Sequence, residues 1–174
     1  GAVLDSVYLH TKSREQLPAS IWPMLKRQVD EAAAHWEEPD RGIWEVRGED
    51  KHFVSSKVMC WVACDRGARL AKRREAHEHA KRWQAHADEI KADIIEHGCK
   101  DGVFTQHYET DSLDASALLI PLVRFLPGDD ELVRNTVFGI ADELGQDGLI
   151  LRYKVHETDD GLQDPYSRYD ALRA

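Results

Sequence analysis

Between Pro18 and about Glu37 the apolar residues Ile21, Leu25, Val29, Ala32, Ala33 and Trp36 recur at helical spacing, and Pro39 interrupts the pattern. That period predicts a helix with one buried face. A second helix is expected from the Ser55-Ser56 pair through Val58, Trp61, Val62 and Leu70, with Lys72, Arg73 and Arg74 at its end, where cations complement the helix dipole. A third runs from about Ala76 to His97 through Ala80, Trp83, Ala87, Ile90 and Ile94, and stops at Gly98. Asp114 caps a fourth, carrying Leu118, Leu119, Leu122, Val123 and Leu126, in which Pro121 implies a kink before Pro127-Gly128 breaks it. Asp129 opens a fifth, with Leu132, Val133, Val137, Ile140 and Leu144 on one side and Gly145 at its close. Only Leu149 to Val155 reads as extended, so the fold class is all-α, built of antiparallel helical hairpins.

The connections alternate in length. The links 38–54 and 99–113 and the segment after Gly145 are long, whereas Arg74-Glu75 and Pro127-Gly128 are tight. In an up-and-down helical array alternate connections emerge at the same end, so the three long segments should share one rim. Loops gathered at one end of a rigid scaffold are the usual place for binding and catalysis.

Composition narrows the possibilities. The 174 residues suit one domain or a piece of a larger one, and 42% hydrophobic with 32% charged residues describes a core with a solvated surface. With 23 basic against 32 acidic side chains the formal net charge is −9, which argues against nucleic acid as a partner. No apolar run approaches the roughly 20 residues of a membrane helix. Cys60, Cys64 and Cys99 have neither C-x-x-C spacing nor a matched histidine set, so a reducing cytoplasm is expected and no disulfide or metal site. His77 and His79 flank Glu78 two residues apart, on different faces of a helix, and no nucleotide-binding or serine-hydrolase motif is present, so no cofactor is expected. The Gly-Ala start reads as a cloning scar or a cut from a longer chain.

Chemistry concentrates on the expected rim. The first loop reads Gly42-Ile-Trp-Glu-Val-Arg-Gly48, placing Glu45 directly after Trp44. A carboxyl beside an indole in a partly closed cleft is disfavoured as the anion and becomes a proton donor near neutral pH, able to protonate a glycosidic oxygen. Arg47 suits an ion pair with Glu49 or Asp50. The second loop carries His107 and Tyr108 within Phe104-Thr-Gln-His-Tyr108, side chains suited equally to binding a sugar ring and to packing a rim. The third segment offers Arg152 and Tyr153, a cation and a phenol at the end of the extended run.

Several stretches in collinear order give the chain a family likeness: Asp5-Ser-Val-Tyr-Leu-His10, the Trp44-Glu45 loop, Ser56-Lys-Val-Met-Cys-Trp-Val-Ala63, Phe104 to Tyr108, Leu113-Asp-Ala-Ser116 and Glu157-Thr-Asp-Asp-Gly161. Together they resemble bacterial members of glycoside hydrolase family 15, the glucoamylase and trehalase-like enzymes. The resemblance implies an (α/α)6 toroid with its active-site loops at one end. It also implies hydrolysis of α-linked glucosides with inversion, by one glutamic acid and one glutamate base held about 6.5–9.5 Å apart. On this likeness Glu45 is the general acid, Trp44 walls the first sugar subsite, and Arg152 binds substrate with Tyr153, His107 and Tyr108 nearby.

The family's base lies in a later acidic segment followed by a G-N-[FY]-P-[QL]-A-like motif, and nothing here corresponds to it. Residues 1–174 are therefore expected to be a partial catalytic domain, lacking N- and C-terminal portions and inactive alone. The alternative is a stand-alone helical module that binds carbohydrate or protein. An open arc of helices leaves two apolar flanks, which a homo-oligomer would cover.

Overall fold

The computed structural model describes residues 1–13 and 18–154. The elements are α1 (Ala2–Ser13), a 3₁₀ turn (Ala19–Ile21) leading into α2 (Trp22–His35), α3 (Val54–Arg73), α4 (His77–His97), β1 (Cys99–Lys100), β2 (Val103–Phe104), a 3₁₀ turn (Ala115–Leu118) leading into α5 (Leu119–Leu122), α6 (Glu131–Glu143), β3 (Gly145–Gln146) and β4 (Leu149–Ile150). The protein is all-α, and its consecutive helices form antiparallel hairpins in the manner of an arc of an (α/α)6 toroid.

Burial separates two layers. In α3, 14 of 20 residues are buried, whereas α4 buries five of 21, on a single stripe through Ala80, Trp83, Ala87, Ile90 and Ile94. A helix covered nearly all round lies in the inner layer, and a helix with one apolar stripe lies outside it. Gly67 lets the two layers close up, because a Cβ there would sit 2.6 Å from Val29 Cγ2 and 3.2 Å from Trp83 Cε3. The C-terminus of α2 meets the start of α3, where the buried Lys57 ammonium donates to the carbonyls of Trp36 and Glu38 and so satisfies open helix-end acceptors. Burial lowers the pKa of that ammonium.

Four local expectations are corrected. The sequence reading places no helix before Pro18, yet α1 is there. It runs parallel to α3, with Leu4, Tyr8 and Thr11 buried and Asp5 accepting a 2.7 Å bond from Arg66. Ser55 and Ser56 do not cap α3, since Phe53 holds the cap position and both serines lie inside the helix. The fourth helix is short: Asp114 does cap its entry, accepting from the Ser116 amide, but the first turn is 3₁₀ and α5 has four residues. Pro121 sits within the first turn of α5, where its missing N–H costs nothing, and marks a late start in place of a kink. The helix then closes with Arg124 at φ 58° and the Phe125 amide on the Ile120 carbonyl, turning Phe125 into the core against Trp61. Finally, α6 is capped by Asp130, one residue later than Asp129.

Two small hairpins form after α4 and after α6; the first replaces a plain loop, and the second takes in Leu149–Ile150, the start of the expected extended run, as β4. In each an Asp-Gly pair takes positive φ at both positions, Asp101 and Gly102 at 49° and 78°, Asp147 and Gly148 at 51° and 80°. That is the two-residue turn whose twist matches a hairpin. The first hairpin is fixed to α6 by the Phe104 amide donating to Thr136 Oγ1 at 2.9 Å. The Val155 end of the expected extended run and the Glu157–Gly161 stretch lie outside the described residues.

Candidate active site

The three long segments do meet at one end. Residues 38–54 and 98–114 are stitched by an antiparallel bridge between Phe53 and His107, by the Val54 amide on the Gln106 carbonyl at 3.0 Å, and by the Tyr108 amide on the His52 carbonyl at 3.2 Å. The segment after α6 joins them through the Ala115 amide, which donates to the Arg152 carbonyl at 2.8 Å. The turns at 74–76 and 127–130 therefore lie at the opposite end.

The neck of the first loop is a bridge between Asp40 and Lys51, with amide-to-carbonyl distances of 2.9 and 2.7 Å. Asp50 pairs there with Arg41 at 3.0 Å, where the sequence reading offered Arg47 as its partner. The tip closes like a helix end: the Val46 amide reaches the Arg41 carbonyl at 3.1 Å and the Glu45 amide reaches Gly42 at 3.2 Å. Glu45 takes the left-handed position of that closure, φ 50°, which normally belongs to glycine. A side chain there costs about 1–2 kcal/mol.

Trp44 is half-buried, and its indole Nε1–H lies 3.0 Å from both carboxylate oxygens of Asp114, seventy residues away. Asp114 is buried at 2% exposure and also accepts from Gln106 Nε2 at 3.0 Å and from the Ser116 amide at 2.7 Å. The Arg152 guanidinium lies over the Trp44 ring at 5.5 Å, and at the same distance from the Tyr153 ring. One tryptophan face is thus set by three segments. Glu45 projects from the same turn and is exposed, so the described residues do not form the closed cleft supposed around it.

His107 and Tyr108 spend their polar atoms elsewhere. His107 Nδ1 is 3.0 Å from Glu109 Oε2 and its ring packs edge-on against Phe53; burial lowers its pKa, with Glu109 opposing. The Tyr108 hydroxyl donates to Asp93 Oδ2 at 2.5 Å, its ring stacks with His52 and His97, and burial pushes its pKa up. Tyr108 lines a cleft of ≈ 250 Å³ with Trp36, Lys57 and Asp93, whose walls include none of Trp44, Glu45, Asp114 and Arg152. Sequence reasoning missed the joint role of Gln106 and Asp114. The available signal was Leu113-Asp-Ala-Ser116, read as a helix cap and as one stretch of the family likeness but not linked to Trp44. Among the described residues no three His, Cys, Asp or Glu side chains converge to hold a metal ion, and no helix is long and apolar enough to cross a membrane.

The described residues thus form a helical-hairpin scaffold that carries an acid and a fixed tryptophan on its loop-bearing rim. The sequence model of glycosyl hydrolases family 15 matches residues 1–166, and the chain belongs to that family. It is 68% identical over 163 residues to a trehalase of Mycobacterium tuberculosis and 63% identical over 163 residues to a trehalase of Mycolicibacterium smegmatis; each match covers 93% of this chain and 24% of the relative. Trehalase 2 of Sulfolobus acidocaldarius is 35% identical over 159 residues, covering 88% of this chain and 27% of the relative. The chain thus spans about a quarter of the length of these curated relatives. A solved glycosidase variant in complex with glucose shares the fold, with a TM-score of 0.76 at 23% identity over 86% of this chain and 40% of that one.

Proposed function

We propose that this chain is the general-acid segment of a trehalase-like, inverting family 15 glycosidase, with Glu45 donating a proton to the leaving oxygen of an α-linked glucoside. The observation that carries the reading is the meeting of three loops on Trp44, through Asp114 and Arg152, beside a glutamate held in strained backbone. Backbone strain persists where the surrounding structure over-determines it, as functional sites do. Trp44 offers a sugar ring an apolar wall and Arg152 supplies hydrogen-bonding groups at its edge, with Tyr153, 3% exposed, placed to support the Arg152 guanidinium 5.5 Å from its ring. His107 and Tyr108 shape the rim of the substrate path. The curated relatives carry the name trehalase, which favours trehalose over maltose as the substrate.

The second carboxylate that inversion needs belongs to a part of the family domain outside these 174 residues. The chain alone is then a partial domain and inactive, since base catalysis contributes about 10²–10⁴-fold and half the cleft is missing. Free Cys60, Cys64 and Cys99 suit a reducing cytoplasm. The test is trehalose hydrolysis by the full-length polypeptide that carries this segment. Glu45→Gln should lower kcat about 10²–10⁴-fold with KM little changed; retained turnover would sink the assignment.

One observation favours the module reading. Along α6 and the hairpin after it, Phe138 is 65% and Leu149 74% exposed, apolar side chains that a second copy of the chain would cover. Light scattering on the 174-residue chain decides it: a stable dimer supports the module, and a strict monomer counts against it.

A further inference from the structure

The Asp114 carboxylate does more than a helix cap requires. Capping uses one oxygen and one bond, from the Ser116 amide at 2.7 Å, and asparagine or serine would supply it equally well. An ionised group at 2% exposure is costly to bury unless its lone pairs are satisfied. Here the remaining lone pairs are taken by two side-chain donors, the Trp44 indole, 3.0 Å from each oxygen, and Gln106 Nε2, 3.0 Å from Oδ2. Only a carboxylate accepts from both donors and still caps the turn. An asparagine would keep the Ser116 bond but point an NH₂ at another N–H.

The three donors come from different places: the first loop, the second loop and the start of the 3₁₀ turn. The amide of Ala115, the next residue, holds the Arg152 carbonyl, and the Arg152 guanidinium covers the Trp44 ring. Asp114 therefore fixes the indole plane from one edge while Arg152 covers its face, and the peptide leaving Trp44 carries Glu45.

We propose that Asp114 is the positioning residue for the general acid: by accepting from Trp44 and Gln106 it sets the indole plane and, through it, the direction in which Glu45 points. This rests on the functional reading above. Misplacing a reacting group by about 1 Å costs on the order of 10²-fold in rate, whereas loss of a cap alone lowers stability and leaves the chemistry unmoved.

Two readouts test it. In the 174-residue chain with ¹⁵N-labelled tryptophan, the Trp44 indole N–H resonance, assigned by its loss in Trp44→Phe, should move upfield in Asp114→Asn. An unchanged resonance overturns the proposal whatever the enzyme does. In the full-length polypeptide acting on trehalose, Asp114→Asn should lower kcat about 30- to 100-fold with KM nearly constant. In a Trp44→Phe background the same change should cost less than about threefold, because the bond it removes is already gone. Equal fold-losses in the two backgrounds, or an unchanged kcat with only a lower melting temperature, would reduce Asp114 to a cap. Should Asp114→Asn fail to fold, Asp114→Ser gives the same readouts, since its hydroxyl keeps the Ser116 bond and is too short to reach the indole. A parent that hydrolyses neither trehalose nor maltose would remove the functional reading, and the resonance would still decide what holds Trp44.

Discussion

Glu45 and Glu75 occupy the same backbone geometry at opposite ends of the molecule. Each stands at positive φ, 50° and 60°, in a closure whose next amide reaches back five residues, Val46 to Arg41 and Ala76 to Ala71. Around Glu75 the closure ends α3 and starts α4 within four residues, a device for reversing the chain. Around Glu45 it stands at the tip of a long loop, beside a tryptophan held by Asp114 and Arg152. Under the proposed function the same local cost of about 1–2 kcal/mol has two explanations: glycine would serve the turn at residue 75 better, while at residue 45 the proposed proton donor needs its side chain. On that proposal helix packing accounts for one end of the protein, and chemistry for the other.

Substitutions in the helical layers should separate stability from function most sharply. Gly67→Ala drives a methyl into Val29 and should destabilise by about 1–3 kcal/mol, the usual cost of overpacking. Thermal or urea unfolding reads that loss; full-length molecules that remain folded should keep their kcat, and a specific loss of kcat would blur the division between the ends. Glu75→Gly should raise stability by about 1 kcal/mol, with turnover unchanged.

The smallest effect is a pH dependence at the rim. Burial lowers the pKa of His107 below the ordinary imidazole value, so the unfolded chain takes up the proton first. Stability contributed by neutral His107 is complete above the unfolded value and is lost as pH falls through the folded one. Melting temperatures measured downward from pH 7.5 should decline less steeply in His107→Gln than in the parent; identical slopes would show that the buried imidazole does not contribute.

Much of the helical layer was legible because its signals are local. The stripe from Ala80 to Ile94 and the Gly98 stop lie in one continuous segment, and the structure keeps both. Helix α1 escaped because its buried face mixes Leu4 with Tyr8 and Thr11, polar groups whose burial rests on α3: Arg73 donates to Thr11, and the Arg66, Arg69 and Arg73 guanidiniums surround the Tyr8 ring. The two hairpins were legible in principle, since Asp-Gly is a local turn signal. At the site, Trp44 and Glu45 stood out through their family likeness, and the alternation of long and short links placed them on a shared rim. The bond between Trp44 and Asp114 was not legible, because it spans seventy positions and depends on three loops folding together. Nor was the commitment of Tyr108 to Asp93, which requires the end of α4 to lie beside the second loop.

The central claim is that the glutamate at the rim is kept for its carboxyl group at a cost in stability. The direct measurement pairs trehalose turnover with unfolding free energy for Glu45→Gly and Glu75→Gly in the full-length polypeptide. Both variants should be more stable than the parent by about 1 kcal/mol, and Glu45→Gly alone should lose turnover. A Glu45→Gly variant that hydrolyses trehalose at the parent's rate, or one destabilised where Glu75→Gly is stabilised, would contradict it.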